Sequence, residues 1–279
     1  MAPMKSTNRG PLWAWLTLTL FGLFFAVPMI AMARFAFQRI PVALLGRHTI
    51  LRKWTVDGLT EMFRDPDFKP ALITSLKLGL LTVLLTLVLM VPTILWVNLV
   101  APRLRNAVEI ATMLPYVVPP IALVVGAGGA FRDFAPWFLR SDYCLVPFYT
   151  ILAMPFTYRA LDTGLRSIDL RTLLDASRSL GASTPRAIYE AVLPNMRSSL
   201  IGAGFLTVTV VLGEFTIAAL LLKPTLPLYM AQSQGRNPQG ALGLGIVMLV
   251  VTAGLFFVST RLQRRRNPLQ TINPTGVIP

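Results

Sequence analysis

Covalent chemistry needs a nucleophile near a base, or a cluster of metal ligands, and this sequence supplies neither pattern. There is one cysteine, Cys144, and one histidine, His48. Cys144 lies in an apolar run and reads as a packing residue. His48 reads as a solvated loop residue, and the two build no metal site or nucleophile–base pair by spacing. No His-Glu-x-x-His pattern occurs, and Gly-Lys never occurs, so a Walker-type phosphate loop is missing. The expected set of catalytic residues is therefore none, and of metal ligands none. Two side chains and one segment remain. Glu214 is the only carboxylate deep in an apolar run. A carboxylate at that depth costs about 2.5–3.5 kcal/mol on insertion scales, so it must face protein or water. It either lines a pathway and meets a cationic solute, or pairs with Lys77, with another subunit or with backbone donors. Tyr116, beside Pro115, Pro119 and Pro120, lines the same path or is a buried tyrosine with a satisfied hydroxyl. The segment Ser167–Pro194 is a polar, arginine-bearing island in apolar surroundings.

The elements that must hold these residues read as membrane helices. The 279 residues are 54% hydrophobic and 14% charged, with mean hydropathy +0.62, where a soluble domain carries about a quarter charged residues. Apolar runs of about 20 residues match the hydrocarbon thickness. They predict an all-α membrane protein forming a single domain over 1–279, with six spans at 12–33, 73–97, 110–131, 143–161, 198–222 and 241–260. The third span carries Pro115, Pro119 and Pro120 and then Gly126, Gly128 and Gly129, which predicts a broken or bent helix. Pro92 marks a kink in the second. The net charge is +14. Because the arginines sit in short loops between apolar runs, they read as cytoplasmic anchors rather than a nucleic-acid surface. Lys5, Arg9, Arg103, Arg105, the island and Arg261 to Arg266 all fall on one side, which puts both termini in the cytoplasm. The loop 34–70 is then external, with amphipathic helix on the membrane surface, although its seven basic residues run against the charge rule. Ala31-Met32-Ala33 leaves a cleavable signal peptide as the alternative reading of the first span. The last residues read as a disordered tail.

Within the island the signals are sharper. Asp169 caps a helix whose Leu170, Leu173, Leu174, Ser177 and Leu180 form one stripe. Gly181 stands where a left-handed residue ends a helix, Thr184-Pro185 restarts one as N-cap and first residue, and Pro194 stops it. Ala187, Ile188, Ala191 and Val192 share a face, with Arg186 and Glu190 on another. The stretch resembles the cytoplasmic loop of permease subunits in binding-protein-dependent ABC importers, which reads Glu-Ala-Ala, three residues, Gly, nine residues, then Ile-x-Leu-Pro. Here Asp175-Ala176-Ser177 takes the first place, Gly181 falls at the required spacing and Leu193-Pro194 closes the pattern. Ala191 replaces the Ile.

The resemblance, which extends from about Leu12 to Leu262, implies the type I importer permease fold, with 167–197 as the cytoplasmic coupling loop. It implies that Asp175, Ala176, Gly181, Ala182, Ser183, Pro185, Arg186 and Tyr189 couple the chain to an ABC ATPase subunit. The apolar face of Pro185–Val192 would lie in a groove of that subunit, with Arg171, Arg178 and Arg186 pairing at its rim. It implies a second permease subunit, identical or a sister, an external solute-binding protein and the inner membrane of a bacterium. The chain itself holds no cofactor, and ATP and Mg belong to the partner ATPase. Gly213-Glu214-Phe215-Thr216-Ile217 is similar to the polyamine branch, with ferric iron, thiamine and aminoethylphosphonate branches also open. An ion-coupled secondary transporter would show paired intramembrane charges or repeated halves, and a membrane-embedded enzyme would show a clustered reactive set. The sequence has neither.

Overall fold

Apolar runs punctuated by proline and glycine give helices that stop and turn where those residues fall. The computed structural model describes residues 10–38 and 54–265. His48 and the terminal segments read above as cytoplasmic lie outside the described residues. In chain order the helices are α1 (Gly10–Ala36), α2 (Asp57–Arg64), α3 (Phe68–Leu99), α4 (Arg105–Val117), α5 (Pro120–Phe134), α6 (Pro136–Arg140), α7 (Leu145–Arg166), α8 (Leu170–Ser179), α9 (Thr184–Ala187), α10 (Leu193–Asn195), α11 (Arg197–Gly213), α12 (Thr216–Leu220), α13 (Leu226–Ser233) and α14 (Pro238–Arg265). A π-helical turn, Ile188–Val192, joins α9 to α10. Among the described residues, four helical stretches are long and apolar enough to cross a membrane: Trp13–Ala36, Phe68–Leu99, Asp142–Arg166 and Pro238–Val258. The protein is an all-α, multi-pass membrane protein.

Two of the anticipated spans are discontinuous. The third is α4 and α5, bent by 91° at Val118-Pro119, where Pro119 and Pro120 withhold two backbone donors. The fifth ends as α11 at Gly213 and resumes as the short α12 after Glu214 and Phe215. Beyond it Leu222 takes a positive φ of 54°, so 198–222 is not one rod. The second span, by contrast, runs unbroken through Pro92.

The chain divides into two units, residues 1–65 with 230–248 and residues 66–229 with 249–279. In the first, α2 packs by its own apolar side. Met62 is buried, and Gly240 at the start of α14 lies so close to Gly58 and Met62 that no Cβ fits there. Asn237 caps α14 through Gly240 N–H (2.8 Å) and donates to Gly58 O and Glu61. The amphipathic face expected on the membrane surface is thus turned in part onto the chain itself. In the second unit α3, α7 and α11 pack mutually, with α4 on α7 and α12 on α5 and α7. Their seam uses small and hydroxyl residues, as membrane helices do when no water is there to drive packing. Gly164 fits against Ser199 with no room for a Cβ, and buried Thr157 and Thr207 share a hydrogen bond of 3.0 Å. One apolar cluster gathers Leu78, Val124, Tyr149, Val211 and Ile217. The other gathers Met90, Ile94, Tyr158, Leu161 and Met196 and extends to Leu174, Ala187 and Val192 of the loop.

Candidate functional site: the helix–turn–helix and the ion pairs beneath it

The island folds as a capped helix, a glycine turn and a second helix. Asp169 accepts the Thr172 N–H (3.2 Å) and its hydroxyl (2.7 Å), which hold its carboxyl below the usual carboxylate range. At the other end of α8, Gly181 N–H donates to Arg178 O (2.9 Å) and Ala182 N–H to Ser177 O (3.0 Å). This is a complete Schellman closure, with Gly181 at φ +83°. Arg178 donates to the Thr184 hydroxyl across the turn (3.1 Å) and reaches Asp175 at 3.8 Å.

The second helix differs from expectation in three ways. It begins one residue earlier, with Ser183 at the N-cap position and Thr184 as its first residue. Pro194 does not stop it. A π turn precedes it, and the helix ends after Asn195 at a 73° bend into α11. Its apolar face also points inward. Ala187 and Val192 are buried, with Ile188 and Ala182 packed on the same cluster, so these side chains are taken up by the chain's own core.

What the loop presents outward is a different set. Asp175, Ala176, Gly181, Ser183, Pro185, Arg186 and Tyr189 are exposed, whereas Ala182 is half-buried. Leu180, expected on the buried stripe, is 89% exposed, and Tyr189 is 75% exposed. Of the arginines expected at a rim, Arg186 already pairs with Glu190 (2.9 Å) and Arg178 with Asp175. Arg171 alone has no partner among the described residues.

Directly under the loop lies a cluster that the sequence reading missed. Asp162, on the last turns of α7, takes Arg105 of α4 and, at 3.2 Å, Arg166 on the same carboxylate oxygen. Its side chain is 10% exposed. Arg159 pairs with Glu109 at 3.3 Å, and the Tyr158 hydroxyl donates to Arg105 O. The only sequence signal for Asp162 was its i, i+4 spacing to Arg166. Its partner Arg105 is 57 residues away and could not be inferred.

Glu214 and Tyr116 occupy the two helix breaks. The Glu214 carboxylate accepts the N–H groups of Ile217 (2.8 Å) and Ala218 (3.4 Å), so it caps α12 rather than pairing with Lys77. The buried Tyr149 hydroxyl is its electrostatic neighbour. Tyr116 is half exposed, and its ring stands edge-on to Phe156, with centroids 5.7 Å apart. Tyr149 and Phe156 lie seven residues apart on α7, about 10 Å along its axis. The two candidate residues therefore meet one helix at two levels, and no contact joins them.

The discontinuous bundle with a glycine-closed loop at one end is the permease fold of an ABC importer. The chain superimposes with a TM-score of 0.66 on a bacterial ABC transporter involved in the import of the acidic polysaccharide alginate, at 20% identity over 91% of this chain and 95% of the other. In sequence it is similar to the probable ABC transporter permease protein y4fN of Sinorhizobium fredii, 25% identical over 263 residues, 88% of this chain and 44% of the relative. It is also similar to the methionine import system permease protein MetP of Bacillus subtilis, 26% identical over 128 residues, 46% of this chain and 55% of the relative. The chain spans about half the length of these curated relatives. No family model matches it.

Proposed function

We propose that this chain is a membrane-spanning permease subunit of an ATP-driven importer in a bacterial inner membrane. It crosses six times with both termini in the cytoplasm. A second permease subunit, identical or a sister, completes the channel. ATPase subunits dock on the loop centred at Gly181 and supply ATP and Mg, and an external binding protein delivers the cargo. The chain catalyses no covalent step. The observation that carries this reading is the Schellman-closed helix–turn–helix, seated on the bundle core and presenting Leu180, Pro185 and Tyr189 outward. An exposed aromatic–aliphatic pair on a rigid support suits a groove in a partner. The experiment is co-expression with the ATPase and binding protein from neighbouring reading frames, followed by reconstitution. ATP-dependent uptake is expected, and uptake by the chain alone without ATP would overturn the reading.

For the cargo, Glu214 favours a cationic solute of the polyamine type, such as spermidine or putrescine, because it is a carboxylate placed at a break within an apolar stretch. Broken helices supply polar groups at transport sites. Ferric iron, thiamine and aminoethylphosphonate are the alternatives within the class. Glu214→Gln keeps one oxygen for the Ile217 N–H while removing the charge. It is expected to assemble as the parent does and to lower spermidine uptake about tenfold, the equivalent of ~1.4 kcal/mol. Unchanged uptake would leave Glu214 with the capping role alone.

A further inference from the structure

A cavity of about 680 Å³ opens between α7, α11 and the last turns of α14, at the end of the bundle that bears the loop. Its lining changes character with depth on all three helices. Nearest the loop it presents Arg159, Thr163, Ser167, Ser198, Ser199 and Thr260. Deeper in, it presents Phe156, Phe205, Leu206 and Phe256. Thr163 and Phe156 are seven residues apart on α7, as are Ser199 and Leu206 on α11. The polar and apolar linings are therefore separated by about 10 Å along the helix axes. Phe205 and Phe256 face each other at 5.6 Å between centroids. The hydroxyls of Thr163, Ser198 and Ser199 bond to nothing else among the described residues.

The polar end carries a cation. Arg159 is the one charged side chain that lines it, and no carboxylate does. Glu109 is held by Arg159, and Asp162 by Arg105 and Arg166. Arg261, next to Thr260 in the chain, lies over the Phe257 ring at 4.7 Å and has no ion pair among the described residues. A site graded from cationic hydroxyl to aromatic hydrocarbon across a distance of that size matches the headgroup and upper acyl chain of a lipid, and basic pockets between membrane helices take anionic headgroups.

We propose that this cavity binds one anionic glycerophospholipid. Its phosphate lies on the hydroxyls of Thr163, Ser198 and Ser199 within reach of Arg159, and an acyl chain passes between Phe205 and Phe256. The assignment needs only that the helices lie in a bilayer, and it does not rest on the transport reading. The test is native mass spectrometry of the full chain in detergent, titrated with phosphatidylglycerol or phosphatidylcholine. One retained phosphatidylglycerol per chain is expected, with phosphatidylcholine bound more weakly. Arg159→Gln is expected to lower that occupancy about fivefold, the scale of one basic residue near an anionic surface. Thr163→Leu is expected to lower it as well. Arg103→Gln, which removes the same charge outside the cavity, is expected to leave it unchanged. Equal retention of the two lipids, or equal loss in Arg159→Gln and Arg103→Gln, overturns the site. Displacement of phosphatidylglycerol by millimolar inorganic phosphate would reassign it to a small anion. A disulfide between Phe205→Cys chains across two copies would show that protein covers the cavity instead.

Discussion

Gly181→Val is expected to cut ATP-driven uptake at least tenfold while leaving the bundle folded. The φ of +83° lies in the left-handed region, which costs an L-residue about 1–2 kcal/mol and is a true outlier for a β-branched one. Space is not the obstacle, since a Cβ at this position meets nothing within 4 Å. The defect is confined to the backbone. To relieve it the chain must give up the two closing bonds to Ser177 and Arg178, and α8 then no longer fixes the direction of α9. Leu180 and Tyr189 are the exposed groups displaced by that change, so the loss falls on docking rather than on the core. The strain argument predicts a ranking of Gly, then Asn, Ala and Val, because asparagine tolerates this region best of the three. ATPase activity and cargo uptake, measured together in proteoliposomes, check it. Hydrolysis is expected to persist with little uptake in the valine variant, and wild-type coupling in that variant would show that the turn geometry is not what transmits the stroke.

How much of this was legible follows the range over which each interaction acts. Gly181, Asp169 and the helix break at Pro119 and Pro120 depend on residues a few positions apart, and short-range chemistry is what spacing encodes. The all-α membrane class was legible for a similar reason, because bilayer thickness sets a run length that composition can meet or miss. Which face of the loop is outside was not. Ala187 and Val192 looked like a docking face because amphipathicity says that a face is buried but not by what. Only the tertiary contact with Leu174 and Met196 decides it. The N-cap position of α9 falls on Ser183 rather than Thr184, and both residue types suit it, so spacing alone does not separate them. Glu214 was recognised as exceptional, yet its use as a cap depended on a break in α11 that no proline announces.

Asp162→Asn is expected to lower the stability of the purified protein by about 2 kcal/mol, a fall in Tm of about 4–8 °C for a chain of this size. The substitution keeps the shape and removes the charge that holds Arg105 and Arg166 on a side chain only 10% exposed. Breaking a fully buried pair costs more, about 3–5 kcal/mol. Here Arg105 is 28% and Arg166 51% exposed, so water recovers part of the loss for each cation. The position makes this more than a matter of stability. Asp162 ties α4, the first half of the broken span, to the last turns of α7, and α7 leads within four residues into the loop at Leu170. If motion of the loop reaches the break at Val118-Pro119 through this clamp, uptake should fall further than the stability loss explains, by about tenfold at temperatures where the variant is fully folded. A double-mutant cycle with Arg105→Gln separates the two effects. A coupling energy above about 1 kcal/mol in the melting data identifies the pair as a unit. If the cycle is additive, the carboxylate acts without Arg105. If uptake tracks the folded fraction alone, the clamp holds the bundle together but does not carry its movement.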